Sequence, residues 1–307
     1  MKGIGKNHIK SIQRVEEADL VAVADIDESA GRATAEECGV EWYADYEEML
    51  RRDDLEAVCV CTPHYLHAPM ALRAIEHGKH VMVEKPMAIT VGEADQMVEK
   101  AKKAGVKLAV MHQYRTRPEF AEAKAILERG DLGPLYRVSM EACVIRTWSY
   151  YEGGPWRTTW RQSGGGALIN QTIHHFDLLR WFVGRPTKLQ GWIDTRLHRT
   201  QVEDIASAVI LFEGGVHGVA QVSIIDAPST VRFEVCGDRG KLVQEDKAIR
   251  LGILETPIRE FIEKSGKRGG GGPRCTWRDV TPGKRETDHH VLIRDFAEAI
   301  LEDREPM

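Results

Sequence analysis

The chain has 307 residues, 42% hydrophobic and 29% charged, with 42 basic and 47 acidic residues and a formal net charge of −5. These are values of a folded globular protein, the length points to two domains, and the mixed charge offers no surface to nucleic acid or to an anionic membrane. No apolar run approaches the ~20 residues of a membrane span, and no signal-peptide pattern follows Met1. The six cysteines, Cys38, Cys59, Cys61, Cys143, Cys236 and Cys275, contain no Cys-x-x-Cys pair and read as reduced thiols of a cytoplasmic protein.

The chain opens on Met1-Lys2-Gly3-Ile4-Gly5-Lys6-Asn7-His8, which leads into a helix reaching residue 18. Residues 20–24 are an apolar strand ending at Asp25. In a dinucleotide-binding turn, glycines carry the chain from a first strand into a helix whose N-terminus holds the pyrophosphate. An acid about 20 residues later holds the ribose hydroxyls. Gly3, Gly5, Lys6 and Asn7 are the candidates for the turn, and Asp25, 20 residues after Gly5, for the acid. A carboxylate there repels a 2′-phosphate, so NAD is favoured over NADP. The strand that should precede the turn is missing from the sequence. The first glycine of the fingerprint falls before Met1 and the second on Lys2, so the expectation is a chain shortened at its start.

Residues 28–38 and 45–51 read as helices. Ala57-Val58-Cys59-Val60-Cys61 is an apolar, β-branched run that stops at Thr62-Pro63. Residues 65–77 are helical in pattern and close on Gly78, a helix C-cap. Val81-Met82-Val83 is a second buried-strand run, and it stops at Glu84-Lys85-Pro86. Lys85 therefore stands at the carboxyl end of a strand, where open α/β sheets bind their ligands. A helix over 91–104 and a strand over 107–111 complete the alternation, which predicts a doubly wound parallel sheet, a Rossmann-type domain lacking its first strand, over residues 1–113.

Thr62-Pro63, His67, Gly78-Lys79-His80-Val81 and Glu84-Lys85-Pro86, at this spacing, resemble the Gfo/Idh/MocA oxidoreductases. The resemblance implies NAD as cofactor. It places Thr62, Pro63, His67, Glu84 and Lys85 at the dinucleotide, with His67 lining the nicotinamide pocket. Relatives usually carry one more helix after the last residues, so the carboxyl end also reads as short.

Beyond a helix over 118–129 the pattern becomes long and alternating, at 135–145, 188–195, 205–212, 216–225 and 230–237. This predicts an α+β domain with a mostly antiparallel open sheet over 114–307. The resemblance implies a homo-oligomer formed through that sheet. The glycine run 269–272 reads as a surface loop, since no strand and helix flank it.

The chemistry concentrates in Gly164-Gly165-Gly166-Ala167-Leu168-Ile169-Asn170-Gln171-Thr172-Ile173-His174-His175-Phe176-Asp177. Asn170, His174 and Asp177, spaced by four and three, predict one polar stripe on one helix, with a histidine oriented for proton transfer. In the family it resembles, the lysine of Glu-Lys-Pro and a histidine on this helix flank the substrate carbinol carbon. An Asp often stands four residues before that histidine. Asn170 takes its place here, and an amide can orient but cannot accept a proton as a carboxylate does. Trp156 and Arg157 suit a sugar ring and its hydroxyls, or the nicotinamide, and Arg115, after the last parallel strand, is placed similarly. The histidine pairs 64/67, 174/175 and 289/290 lack the ligand spacing of a closed zinc site, so no metal is expected.

The expected activity is hydride transfer between a nicotinamide cofactor and a secondary alcohol of a sugar, cyclitol or related polyol, with Lys85 and His174 as catalytic residues. The resemblance also leaves open an NAD-dependent glycoside hydrolase or lyase and a non-catalytic sugar or dinucleotide sensor.

Overall fold

The structure is a computed structural model, and it describes residues 3–266, 271–283 and 289–307. Gly269 and Gly270 of the expected glycine loop lie outside the described residues. The chain forms two compact units, one of residues up to 113 with 161–164 and the C-terminal stretch, the other of 114–160 and 165–285. The sequence reading gave everything after 113 to the second domain. In the structure the helix His289–Leu301 belongs to the first unit, because Leu292, Ile293 and Phe296 bury against Val15, Met82, Ala109 and Met111.

In the first unit, β1 (Ala22–Ala24) pairs in parallel with β2 (Glu41–Tyr43). Strands β3 (Ala57–Val60), β4 (His80–Val83) and β5 (Leu108–Val110) form a second parallel sheet in that order. The central strand β4 is buried on both faces. Val81 and Val83 pack with Ala71, Ala74, Ile75 and Met97, while Met82 joins the cluster of the C-terminal helix. Local signals set the helix ends. Asp27 caps Glu28–Cys38 through Ala30 N–H, and Gly39 ends it with φ 69°. Thr90 and Glu93 form a reciprocal capping box at the start of Val91–Ala104.

The second unit is an eight-stranded sheet flanked by helices. Its strands are β6 (Leu135–Ile145), β7 (Pro186–Asp194), β8 (Ile205–Phe212), β9 (His217–Ser223), β10 (Ile225–Gly237), β11 (Gly240–Glu245), β12 (Ala248–Leu254) and β13 (Cys275–Asp279). Their order is β13-β12-β11-β10-β6-β9-β8-β7, antiparallel throughout except for β6 beside β9. One face carries Val138, Met140, Val222, Phe233, Val235 and Leu242 against Phe120 and Ile126 of the helix Pro118–Glu128 and Leu178, Leu179 and Phe182 of the helix Ile173–Val183. The sequence pattern missed β11, β12 and β13. β13 is only five residues long, too short a run for its alternation to stand out.

Candidate active site

In the first unit, the helix Ile4–Ile12 begins at Gly3, whose φ of 67° suits glycine. Among the described residues no side chain caps this end and no acid stands in its first turn. Its N–H groups are thus the kind of donors that receive an anion. Gly5 is buried, and Lys6 and Asn7 are exposed. Asp25 follows β1 directly; its Oδ1 accepts the Asp27 N–H at 3.0 Å, and its carbonyl accepts the Trp42 indole N–H at 3.1 Å.

Two histidines hold the turn that bears Lys85. His67 is 1% exposed. Its Nδ1 lies 2.6 Å from the Pro86 carbonyl and its Nε2 2.8 Å from the Thr62 carbonyl. The ring therefore sits between the loops after β3 and β4, and as a neutral imidazole it donates to one of the two carbonyls at a time. His67, expected to line the nicotinamide pocket, is buried between these two loops. Burial lowers its pKa while the two carbonyls oppose that.

On the other flank, the buried Glu84 carboxylate meets His8 Nε2 at 2.8 Å and His289 Nε2 at 3.5 Å, and its Oε2 accepts the Lys85 backbone N–H at 3.2 Å. Burial opposes a charge on Glu84, but His289, His8 and Lys85 together hold its carboxyl well below the usual range. Burial likewise opposes a charge on His8, whereas Cys61, Cys59 and Glu84 raise its pKa. Burial also raises the Cys61 thiol, so near pH 7 the Glu84 carboxylate is the charged partner beside His8. Among the described residues, the ligand atoms of His8, Glu84 and His289 all lie within 4.8 Å and could hold a cation. The sequence reading had placed Glu84 at the cofactor. Its carboxylate lies beside both histidines and the Lys85 backbone N–H.

In the second unit, the expected single helix through Asn170, His174 and Asp177 is broken. Ala167–Gln171 is one π-helical turn, and the α-helix starts at Ile173. The cause is Glu203, whose buried carboxylate accepts the N–H groups of Gly166 at 2.9 Å and Leu168 at 2.9 Å. The Thr172 hydroxyl donates back to the Ala167 carbonyl at 2.9 Å. A Cβ on Gly166 would lie 2.0 Å from the Glu203 carbonyl oxygen, so only glycine fits there.

His174 stacks flat on Tyr114, with ring centroids 4.4 Å apart, and the Arg117 guanidinium lies 3.6 Å from the Tyr114 ring. The adjacent His175 turns into the core beside Phe233, where burial first, and the Arg117 charge second, push its pKa down to about 4. Arg115 and Asp177 form a bidentate pair at 2.7 and 2.5 Å, which commits each to the other. Asn170 Nδ2 donates to Tyr150 Oη at 3.0 Å. The Arg157 guanidinium lies 4.5 Å from the Trp156 ring and 4.8 Å from the Tyr150 ring. Sequence reasoning missed His8, Tyr114, Tyr150 and Glu203, which only tertiary contact joins to the expected residues. The Glu203-Asp204 pair just before an apolar strand was the one available signal.

Comparison with known proteins decides the family. The family described as oxidoreductases with an NAD-binding Rossmann fold matches residues 2–112, and the GFO/IDH/MocA C-terminal domain matches residues 120–243. The scyllo-inositol 2-dehydrogenase (NAD(+)) of Bacillus subtilis is 30% identical over 78% of this chain and 70% of its own length. The chain belongs to the Gfo/Idh/MocA oxidoreductases. The myo-inositol 2-dehydrogenase of Thermotoga maritima is 28% identical over 87% of this chain and 77% of its own length. Among solved structures, the WlbA dehydrogenase of Bordetella pertussis in complex with NADH and UDP-GlcNAcA is 29% identical, with a TM-score of 0.77 over 80% of this chain and 72% of that one.

The cofactor of this Gfo/Idh/MocA protein is NAD. The residues present fit it. The uncapped start of Ile4–Ile12 offers donors to a pyrophosphate, and Asp25 at the end of β1 offers a carboxylate to a ribose. No helix among the described residues is long and apolar enough to cross a membrane.

Proposed function

We propose that this Gfo/Idh/MocA protein interconverts a secondary alcohol and a ketone on a sugar, cyclitol or related polyol, with Lys85 and His174 as the catalytic residues. Relatives named for myo-inositol and scyllo-inositol support the substrate class. The observation that carries the reading is the turn at Lys85, fixed on both flanks. His8 holds Glu84, and His67 holds Pro86. A lysine between two anchored neighbours loses little freedom when it meets a substrate oxygen.

Bound NAD supplies the hydride acceptor for oxidation and the donor for reduction. Lys85 donates a hydrogen bond to the reacting oxygen and stabilises its developing negative charge. His174 takes the hydroxyl proton in oxidation and returns it in reduction, and its stacking on Tyr114 keeps the ring in one plane. Asn170 orients the substrate without exchanging a proton. The test is kinetic. Lys85→Ala and His174→Ala should each lower turnover by roughly 10²–10⁴ with NAD affinity nearly unchanged. Near-parental turnover in both variants would remove these residues from the reaction.

We also infer a cytoplasmic homo-oligomer. Six free cysteines suit a reducing compartment. Trp192, Val209 and Val219 lie on neighbouring strands of one sheet face, 64%, 49% and 48% exposed, as a face that packs on another subunit would carry them. Sedimentation of the purified chain should give more than one chain per particle, and a monomer would refute this.

A further inference from the structure

The substrate reading above leaves one group of side chains unexplained, in the second unit around Tyr150. Arg146 Nε donates to Gln171 Oε1 at 2.8 Å, which fixes the orientation of that amide. The Gln171 Nε2 therefore faces Tyr150 and donates to its hydroxyl at 2.7 Å. Asn170 Nδ2 donates to the same hydroxyl at 3.0 Å. A phenol oxygen accepts through its lone pairs and donates one hydrogen. With both amides donating to it, Tyr150 has its own hydrogen directed to a further acceptor, and no described side chain or carbonyl fills that role.

Two cations lie beside it. Arg157 lies 4.8 Å and Arg146 5.8 Å from the Tyr150 ring. Neither forms an ion pair with a carboxylate among the described residues, whereas Arg115 of the same unit is bidentate to Asp177. Arg157 Nε is buried and has no hydrogen-bond partner. A guanidinium carries five N–H donors in a planar fork, and leaving them unmatched at a half-buried position is unfavourable. Arg146 spends its Nε on Gln171 and its Nη1 on the Ile145 carbonyl at 2.9 Å, so the open donors are the Tyr150 hydroxyl and the Arg157 fork, next to Asn170 at the head of the His174 helix.

We propose that Tyr150, Arg157 and Arg146 form a subsite for a carboxylate, so that the substrate is a sugar acid rather than a neutral polyol. The planar fork of Arg157 matches the two oxygens of a carboxylate, and the Tyr150 O–H supplies a third donor. Arg146 acts mainly through Gln171, holding the amide that commits the Tyr150 oxygen. This deepens the alcohol–ketone reading and rests on it for the identity of the reaction.

The test measures kcat/KM with NAD for D-glucuronate, D-galacturonate and D-gluconate, each beside its neutral parent hexose, with glucose 6-phosphate and myo-inositol as further arms. At least one acid should exceed its neutral parent by about 100-fold. Arg157→Met should collapse that ratio at least tenfold, Arg157→Lys should restore part of it, and Tyr150→Phe should lower it independently. Acids no better than their parents in every pair would overturn the subsite, and a preference for the sugar phosphate would overturn its assignment to a carboxylate. If no compound turns over, calorimetric titration of the same acids separates the two readings. Binding to the parent that Arg157→Met abolishes keeps the subsite and rejects the reaction. Absence of binding by any acid rejects the subsite.

Discussion

His175 provides a quantitative test of the second unit's core. Neither of its ring nitrogens has a hydrogen-bond partner among the described residues, and its pKa falls from 6.5 to about 4. A histidine with a depressed folded-state value contributes no penalty above its unfolded value. As the pH drops through that value the unfolded chain binds a proton that the folded core refuses, so stability falls. The fall ends near pH 4, below which both states bind it. At about 1.4 kcal/mol per unit of pKa, a shift from 6.5 to about 4 corresponds to about 3 kcal/mol, of which about 2.5 is lost by roughly pH 4.5. His175→Phe keeps a planar ring between Tyr114 and Phe233 and removes the titration. Any overpacking by the larger ring acts equally at both pH values and cancels. Urea unfolding followed by tryptophan fluorescence reads this unit, since every tryptophan except Trp42 lies in it. Between about pH 7.5 and about pH 4.5 the variant should lose about 2.5 kcal/mol less stability than the parent. An equal loss in both proteins would refute the assignment of a buried, neutral His175.

Three further outcomes follow from other contacts. Gly166→Ala places a Cβ 2.0 Å from the Glu203 carbonyl oxygen, so the second unit should lose at least ~2 kcal/mol, measured by the same unfolding assay. Glu84→Gln leaves His8 buried without its carboxylate and should destabilise the first unit by roughly 3–5 kcal/mol. Its sign with pH is defined. The raised His8 loses its contribution as pH rises above 6.5, and the lowered Glu84 loses its own as pH falls below 4.5, so the deficit of the variant should be largest between those values. A deficit that is flat across pH would exclude an ionic pair. Asp25→Ser should reduce the ratio of catalytic efficiencies for NAD over NADP, and an unchanged ratio would place Asp25 away from the ribose.

Much of this molecule is legible in the order of its residues. Val81-Met82-Val83 reads as a buried strand because a parallel strand meets core on both sides, and Pro86 ends it because proline cannot donate to a ladder. The motif around Lys85 and the histidine after the glycines identify the family without coordinates, since they are local and closely spaced. What the spacing misjudged is the geometry that distant residues impose. Asn170, His174 and Asp177 fit one helical stripe by number, yet Glu203, more than thirty residues away, draws in the Gly166 and Leu168 N–H groups, and the turn becomes π-helical. His174 and His175 are adjacent and chemically alike. Only packing separates a ring lying flat on Tyr114 from one turned beside Phe233 with its proton affinity suppressed. The partners of the Glu84 carboxylate, His8 and His289, come from opposite ends of the chain, and no local pattern announces them. The sequence by itself determined the parallel strands and helices of the first unit and where the reactive residue types stand, because periodicity and turn chemistry act over a few residues. The tertiary structure alone decided which partner each polar group meets, because hydrogen bonds and burial join residues that the chain order keeps apart.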